Sequence, residues 1–341
     1  MAYTTINKSS LHMNTKLYTG NASTNAITGV GFQPDFTWIK DRNNIRNHVL
    51  TDAVRGVTKN IFSNTTGTES TDTSTLTAFN SDGFTLGNGT KVNGNSINFA
   101  SWNWKANGAG SANTAGSINS TVSANTTAGF SICSWTGTGS NATIGHGLGA
   151  IPKFIIVKKL SGADSWTTYH ASLGATKKIN FDTGAAGTQS DRWNDTSPTD
   201  TLFSIGTNGS VNTSGATYIA YCFAEKKGYS KFGSYTGNGN VDGPFVYTGF
   251  KPAWVMTKPS SATGDWYMHD NKRDGYNPQN DYLKANATDA ESNNDDRIDL
   301  LSNGFKIRIT HSSQNSNGVT YIYMAFGQSI VGSNNVPATA R

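Results

Sequence analysis

Charge is scarce in this chain: Asp, Glu, Lys and Arg make up only 14% of 341 residues, alongside two cysteines and eight prolines. Two cysteines, Cys133 and Cys222, are too few for a disulfide framework or a thiolate zinc site. Both fall in expected strands of one repeat, where the choice is between two buried thiols and a single disulfide. No run approaches the roughly 18 apolar residues that a membrane helix needs. MAYTTINKSS carries no apolar h-region, so the expectation is a chain made in a cytoplasm, with no membrane insertion. P-loop, HExxH, CxxC and GxSxG patterns are missing, and with them the commonest signatures of nucleotide, zinc and serine chemistry. The net charge of +5 is spread out, with Lys226-Lys227 the longest basic cluster. Nucleic acid is not an expected partner, because its electrostatic footprint is a basic patch or stripe.

What the chain does have is 37 glycines, much Asn, Thr and Ser, and 11% aromatics. Such polar residues suit turns and strand faces, and the aromatics supply a core, so the expected class is all-β. Three decapeptides then stand out: GFQPDFTWIK from Gly31, GAIPKFIIVK from Gly149 and GFKPAWVMTK from Gly249. Each proline is followed six residues later by a lysine, Lys40, Lys158 or Lys258. An aromatic-Thr-Gly triplet precedes each, at Tyr18, Trp135 and Tyr235, and a second segment begins 14 residues after each, at His48, Trp166 and Trp266. Each copy closes in an aromatic strand ending at Trp104, Phe223 or Phe326.

This order of landmarks predicts three tandem β-sandwich repeats, jelly-roll or lectin-like, of about 100 residues each. The expected boundaries are an N-terminal arm at 1–10, repeats at 11–107, 129–227 and 228–330, a Gly/Ser/Asn/Thr-rich linker at 108–128 with room for one edge strand, and a tail at 331–341. The long linker suggests that the first copy sits at an angle to the other two. Apolar residues follow each proline without alternation, which predicts strands buried on both faces and puts Trp38, Ile156 and Trp254 in the core. The lysines that close these strands are expected to expose their ammonium groups over buried stems. Glycines in SDGFTLG and SNGFKIR are expected to supply positive φ before a strand.

Candidate chemistry is sparse. The segment with Asp52 and Arg55, His170, and His269-Asp270 with Arg273 is where an acid/base pair would lie. Adjacent strand residues point to opposite faces, however, so Asp-Arg pairing is the expected role. ESNNDDR, with Glu291, Asp295 and Asp296, and Asp289 just before it, reads as a solvated loop without EF-hand spacing; a calcium site there is the alternative, and no cofactor or metal is expected. Exposed aromatics could stack on sugars. Trp38, Trp166, Trp254 and Trp266 read as core residues at equivalent positions, which leaves Trp193 in DRWNDTSP, with Tyr276 and Tyr282, as the candidate surface or glycan contacts.

YTGN, GFQPDFTWIKDR, HVLTDAVRGV, FNSDGFTLG, ASWNWKANG, GHGLGAIPKFIIVK, YIAYCFAEKKGYSKFGSYTGNG and TGFKPAWV together resemble an uncharacterised repeated domain in structural proteins of marine tailed bacteriophages. These are the phages of cyanobacteria and pelagic bacteria, and the resemblance runs through to the closing VPATAR. It implies a non-enzymatic virion component, tail-fibre-like, that engages a host surface glycan, other virion proteins and further copies of itself. A head decoration or knob protein is the alternative within that class, and a polysaccharide-degrading enzyme is the alternative outside it.

Overall fold

The strand after each proline is buried on both faces, and this decides the architecture. In a computed structural model of the protein, residues 4–329 are described; the tail expected at 331–341 lies outside the described residues. All six residues of Phe36–Asp41 are buried, and Pro152–Lys159 and Pro252–Pro259 follow suit along most of their length. A strand with no solvent face must have a layer on each side. Both layers are present, and they differ in kind.

Within each repeat the proline strand lies between the closing strand (Asn98–Trp104, Thr217–Ala224 or Thr320–Gly327) and a short hairpin partner (Val49–Asp52, Thr167–His170 or Tyr267–Asp270). The opening strand (Met13–Thr19, Phe130–Thr136 or Ser230–Thr236) flanks the closing strand on its other side. All three main sheets share this antiparallel order. One face of each carries a second, smaller sheet, built in the first repeat from Asn25–Thr28, Leu76–Asn80 and Gly83–Leu86. Ile39, Phe84, Leu86 and Phe99 fill the gap there, and the other two repeats enclose comparable clusters of their own. The fold is therefore all-β, with several sheets in a sandwich-like arrangement.

The opposite faces of the main sheets meet one another. Phe36, Trp102 and Trp104, Phe154, Tyr221 and Phe223, and Trp254, Met324 and Phe326 belong to one continuous apolar cluster. At its centre the three closing aromatics form a nearly equilateral triangle. Ring centroids are 6.2 Å apart for Trp104 and Phe223, 5.8 Å for Trp104 and Phe326, and 6.0 Å for Phe223 and Phe326. Interplanar angles of 68°, 67° and 63° put every pair edge to face, the geometry aromatic quadrupoles favour. The repeats are thus arranged around a pseudo-threefold axis.

Several expectations change as a result. The first repeat is not set apart from a closer pair of the other two; Trp104 contacts Phe223 and Trp254 alike. The stretch expected as a linker at 108–128 instead forms strands Ser111–Asn113 and Ser120–Asn125, which pair with each other and extend the second main sheet past Phe130–Thr136. Trp38, Ile156 and Trp254 are buried as expected. Trp38 and Trp254 are not equivalent, however: Trp254 faces Phe326 as Phe36 faces Trp104, whereas Trp38 corresponds to Met256. Gly83 has the expected positive φ, but Gly304 does not; a Cβ there would run into the Val246 carbonyl.

The aromatic-Thr-Gly triplet also has a physical cause. A Cβ on Gly20, Gly137 or Gly237 would overlap the carbonyl oxygen of Gly94, Thr213 or Ser316, so no other residue fits where the chain turns past a single-turn helix. The helix ends in a buried asparagine, Asn93, Asn212 or Asn315. Its side chain accepts from the backbone N–H of Asn21, Thr138 or Asn238 and donates to carbonyls on two sides of the turn.

One shared core predicts one cooperative unit. Trp254→Ala should cost about 3–5 kcal/mol through the cavity it opens, and calorimetry should show a single transition moving down. A separate low-temperature transition for the third repeat alone would contradict the shared core.

Candidate functional site

The residues that carry chemistry in the sequence gather at the three seams between repeats, and the seams repeat as well. Twelve residues past each proline, a backbone N–H crosses to a threonine carbonyl of the neighbouring repeat: Arg46 to Thr288, Asp164 to Thr66 and Gly264 to Thr183, at 2.9, 2.9 and 2.8 Å. Three residues beyond each threonine, the N–H of Glu291, Glu69 or Ala186 donates back to the carbonyl of Arg42, Leu160 or Ser260. Trp166 Nε1–H donates to the Phe62 carbonyl and Trp266 Nε1–H to the Asn180 carbonyl, both at 2.9 Å.

Lys40, Lys158 and Lys258 lie in these seams, fully buried rather than exposed as expected. The seam loops present carbonyls without strand partners, and the ammonium groups satisfy them. Lys40 Nζ donates to the carbonyls of Asp41, Asn44 and Thr288, Lys158 Nζ to those of Thr66 and Asp164, and Lys258 Nζ to that of Gly264. Burial brings each amine down from 10.5 to about 8, with nearby carboxylates such as Asp41 beside Lys40 opposing the shift.

The expected Asp-Arg pairs exist, but inside the protein. Asp52 Oδ2 bonds Arg55 Nε at 2.5 Å and accepts from the Tyr221 hydroxyl of the second repeat at 2.7 Å. Arg55 continues to Glu69 at 3.3 Å. In the third repeat Asp270 bonds Arg273 Nε at 2.6 Å and accepts from Trp102 Nε1–H of the first repeat at 3.0 Å, while Arg273 reaches Glu291 at 3.0 Å. Burial would raise the Asp270 carboxyl, but Arg273 and the Trp102 donor hold it below its ordinary value.

The second repeat replaces the whole trio with His170, Leu173 and Ala186. Its neighbour at the shared position is Met324, which offers no donor. His170 Nε2 instead lies 3.2 Å from the Tyr323 carbonyl, and Leu173 and Ala186 pack on the shared core. The missing pair is thus a coordinated exchange of a charged cluster for an apolar one.

The histidine and aspartate expected as an acid/base pair do not converge. His269 and Asp270 point to different sides: His269 Nε2 lies 3.1 Å from Gln314 Nε2, and burial lowers its pKa to about 3. In the acidic loop, Asp289 pairs with Lys284, Asp295 with Arg297, and Glu291 with Arg42 and Arg273. Among the described residues no group of three His, Cys, Asp or Glu side chains could hold a metal. Cys133 and Cys222 are buried free thiols.

Of the aromatic surface candidates, Trp193 is buried in a single-turn helix against Tyr169, 5.8 Å between ring centroids, and has no free face. Tyr282 is half-buried, with the Arg297 guanidinium 3.9 Å from its ring centroid. Tyr276 is 73% exposed, on a turn beside a cavity of about 370 Å³.

The buried lysines give stability a definite pH dependence. Between pH 8 and 10.5 the folded lysines have released protons that the unfolded chain still holds, so their contribution to stability rises with pH there. Above about pH 10 the unfolded tyrosines ionise while the partly buried Tyr18 and the buried Tyr221 and Tyr235, all raised by desolvation, stay protonated, and the sign reverses. Thermal melts should peak near pH 9 to 10, and a flat profile from pH 7 to 9.5 would refute the buried ammonium groups. The charged trio has its own test. Asp52→Asn should cost about 3–5 kcal/mol by leaving Arg55 short of an anion, whereas D52H, R55L and E69A together, copying the second repeat, should cost less than that single change in a urea titration.

A search of curated proteins finds no match, and neither does a search of solved structures. One family model does match, and it covers residues 8–329, the span from just before the opening strand to just past the last closing strand. The chain belongs to the family described as a domain of unknown function, DUF7483.

Proposed function

We propose that this chain is a non-enzymatic structural protein of a bacteriophage virion. It would be a tail-fibre or appendage module of three tandem β-sandwich repeats, in contact with neighbouring subunits and the host surface through its loops. The observation that carries this reading is the fate of its reactive groups. Asp52, His170, Asp270, Arg273, the three seam lysines and the side chain of Arg55 are buried between repeats and bonded there. An acid or base must reach its substrate within hydrogen-bond distance, and these groups are spent on holding the body together. Asn-, Thr- and Ser-rich loops face the solvent on a rigid frame, the usual place for recognition. The virion itself is implied by the likeness to marine phage structural proteins.

The pseudo-threefold body also suits a threefold position in a larger assembly. Such positions occur at the end of a trimeric fibre and on an icosahedral shell, so head decoration is the second reading. Labelling this chain on intact virions distinguishes the two, with the tail expected. Incubation with host surface polysaccharide should release no new reducing ends. Turnover by the purified chain would overturn the non-enzymatic reading, and absence from purified particles would overturn the virion assignment.

A further inference from the structure

In the second repeat the smaller sheet does not end bare at its first strand, Ala142–Gly145. The chain that precedes the repeat runs along the free side of that strand. Ile118 N–H donates to the Thr143 carbonyl at 3.2 Å, Thr143 N–H donates to Ser117 Oγ at 2.8 Å, and Ser120 Oγ–H donates to the Gly145 carbonyl at 3.3 Å. The same stretch extends the main sheet beneath through Ser120–Asn125. Outward N–H and C=O groups of an edge strand are a template for another strand, and here the chain covers its own.

The third repeat has no such cover, because only Glu225 to Tyr229 separate its opening strand from the closing strand before it. Its main sheet ends at Ser230–Thr236 and its smaller sheet at Phe245–Tyr247. Val246 pairs with Phe305, the Pro244 carbonyl accepts from Ile307 N–H at 3.1 Å, and Thr248 N–H donates to the Asn303 carbonyl at 3.0 Å. Phe245 and Tyr247 therefore turn their backbone groups to the free side, where no described residue bonds them.

The side chains on this edge set it apart. The counterpart strand of the first repeat presents Ala26 and Thr28 to solvent, whereas the third presents Phe245 and Tyr247, 46% and 60% exposed. Natural edges are guarded by lysine, by proline or by inward-pointing charge. Lys306, opposite Phe245, is drawn back to Asp242 at 2.7 Å and to the Gly243 carbonyl at 2.8 Å. Pro244 sits where the backbone faces inward, so it does not block the free side.

We propose that Phe245–Tyr247 pairs antiparallel with the same strand of a second copy of this chain, about a twofold axis at Val246. In that register Phe245 of each copy lies opposite Tyr247 of the other, and each such pair exchanges both of its backbone bonds. Two three-stranded sheets become one. The rings form two direct cross-strand aromatic pairs on the solvent face, which favours the sheet. A second copy suits the edge because the strand is complementary to itself, in backbone groups and in rings. The interface is small, so pairing is weak in dilute solution and grows where many copies are held together. This contact rests on the reading of the chain as one subunit among many and gives the contact between subunits a location.

Sedimentation velocity on the full chain from about 0.01 to 1 mM should show monomer passing into dimer. Hydrogen exchange at the Phe245 and Tyr247 amides should slow as the dimer fraction rises. Tyr247→Pro removes an outward N–H and no bond to the neighbouring strand, and Phe245→Lys places a charge on the edge. With melting curves unchanged, each should weaken association by about tenfold or more. If Tyr247→Pro lowers the melting temperature, Phe245→Lys carries the test. A chain that stays monomeric throughout that range would overturn the pairing, as would slow exchange of these two amides in a monomer, which would assign the edge to another part of the same chain. Association that neither variant weakens would sink this edge and leave the many-copy reading intact. Pairing at this edge by a chain absent from virions would do the reverse.

Discussion

Three aromatic rings meeting edge to face on one axis hold this molecule in its arrangement. Trp104, Phe223 and Phe326 close their respective sheets, and each touches the other two. A repeat taken alone would leave this face of its main sheet in water, with Trp254 and Phe326 or Phe36 and Trp104 exposed. The cost would be roughly 1.5–3 kcal/mol for each large side chain. The repeats therefore depend on one another, although each also encloses a smaller core between its own two sheets. The carbonyl-capping lysines and the buried Asp-Arg clusters follow from this arrangement. Once the faces close on the axis, the loops at their margins are buried too, and their polar groups must find partners.

Much of the frame was legible in the sequence because it is repeated. Spacing identified the proline strands, the closing aromatics and the aromatic-Thr-Gly turns, and the doubly apolar pattern of Phe36–Asp41 already implied a layer on each side. The identity of the second layer was not legible. Hydrophobicity shows that a face is covered, without showing whether the cover is a sheet of the same repeat or a neighbouring repeat. The lysines were misread for the same reason: a lysine at a strand end is ordinarily at the surface, and only the closed ring makes that strand end an interior position.

The site residues divide along similar lines. Asp52 with Arg55 and Asp270 with Arg273 were recognisable as pairs from their spacing, but Glu69 and Glu291, which complete each cluster, lie 14 and 18 residues further on, in loops of unequal length. A signal was available: the second repeat changes all three positions together, to His170, Leu173 and Ala186. Trp193 was misplaced because DRWNDTSP has a loop's composition, whereas its tryptophan fills the interior beside Tyr169. Asn93, Asn212 and Asn315 went unnoticed in an Asn-rich chain, where three more asparagines carry no contrast.

Carrying three repeats on one polypeptide changes how such a ring behaves on dilution. Three separate chains would associate with a steep dependence on concentration and would fall apart when scarce. Here the encounter is intramolecular, with the short junction after Glu225 and the paired strands from Ser111 to Asn125 holding each repeat at a high local concentration of its neighbours. Covalent continuity also frees the seams from having to be identical. One seam could replace its ion cluster with leucine and alanine while the other two kept theirs, a divergence that a ring of identical subunits cannot make.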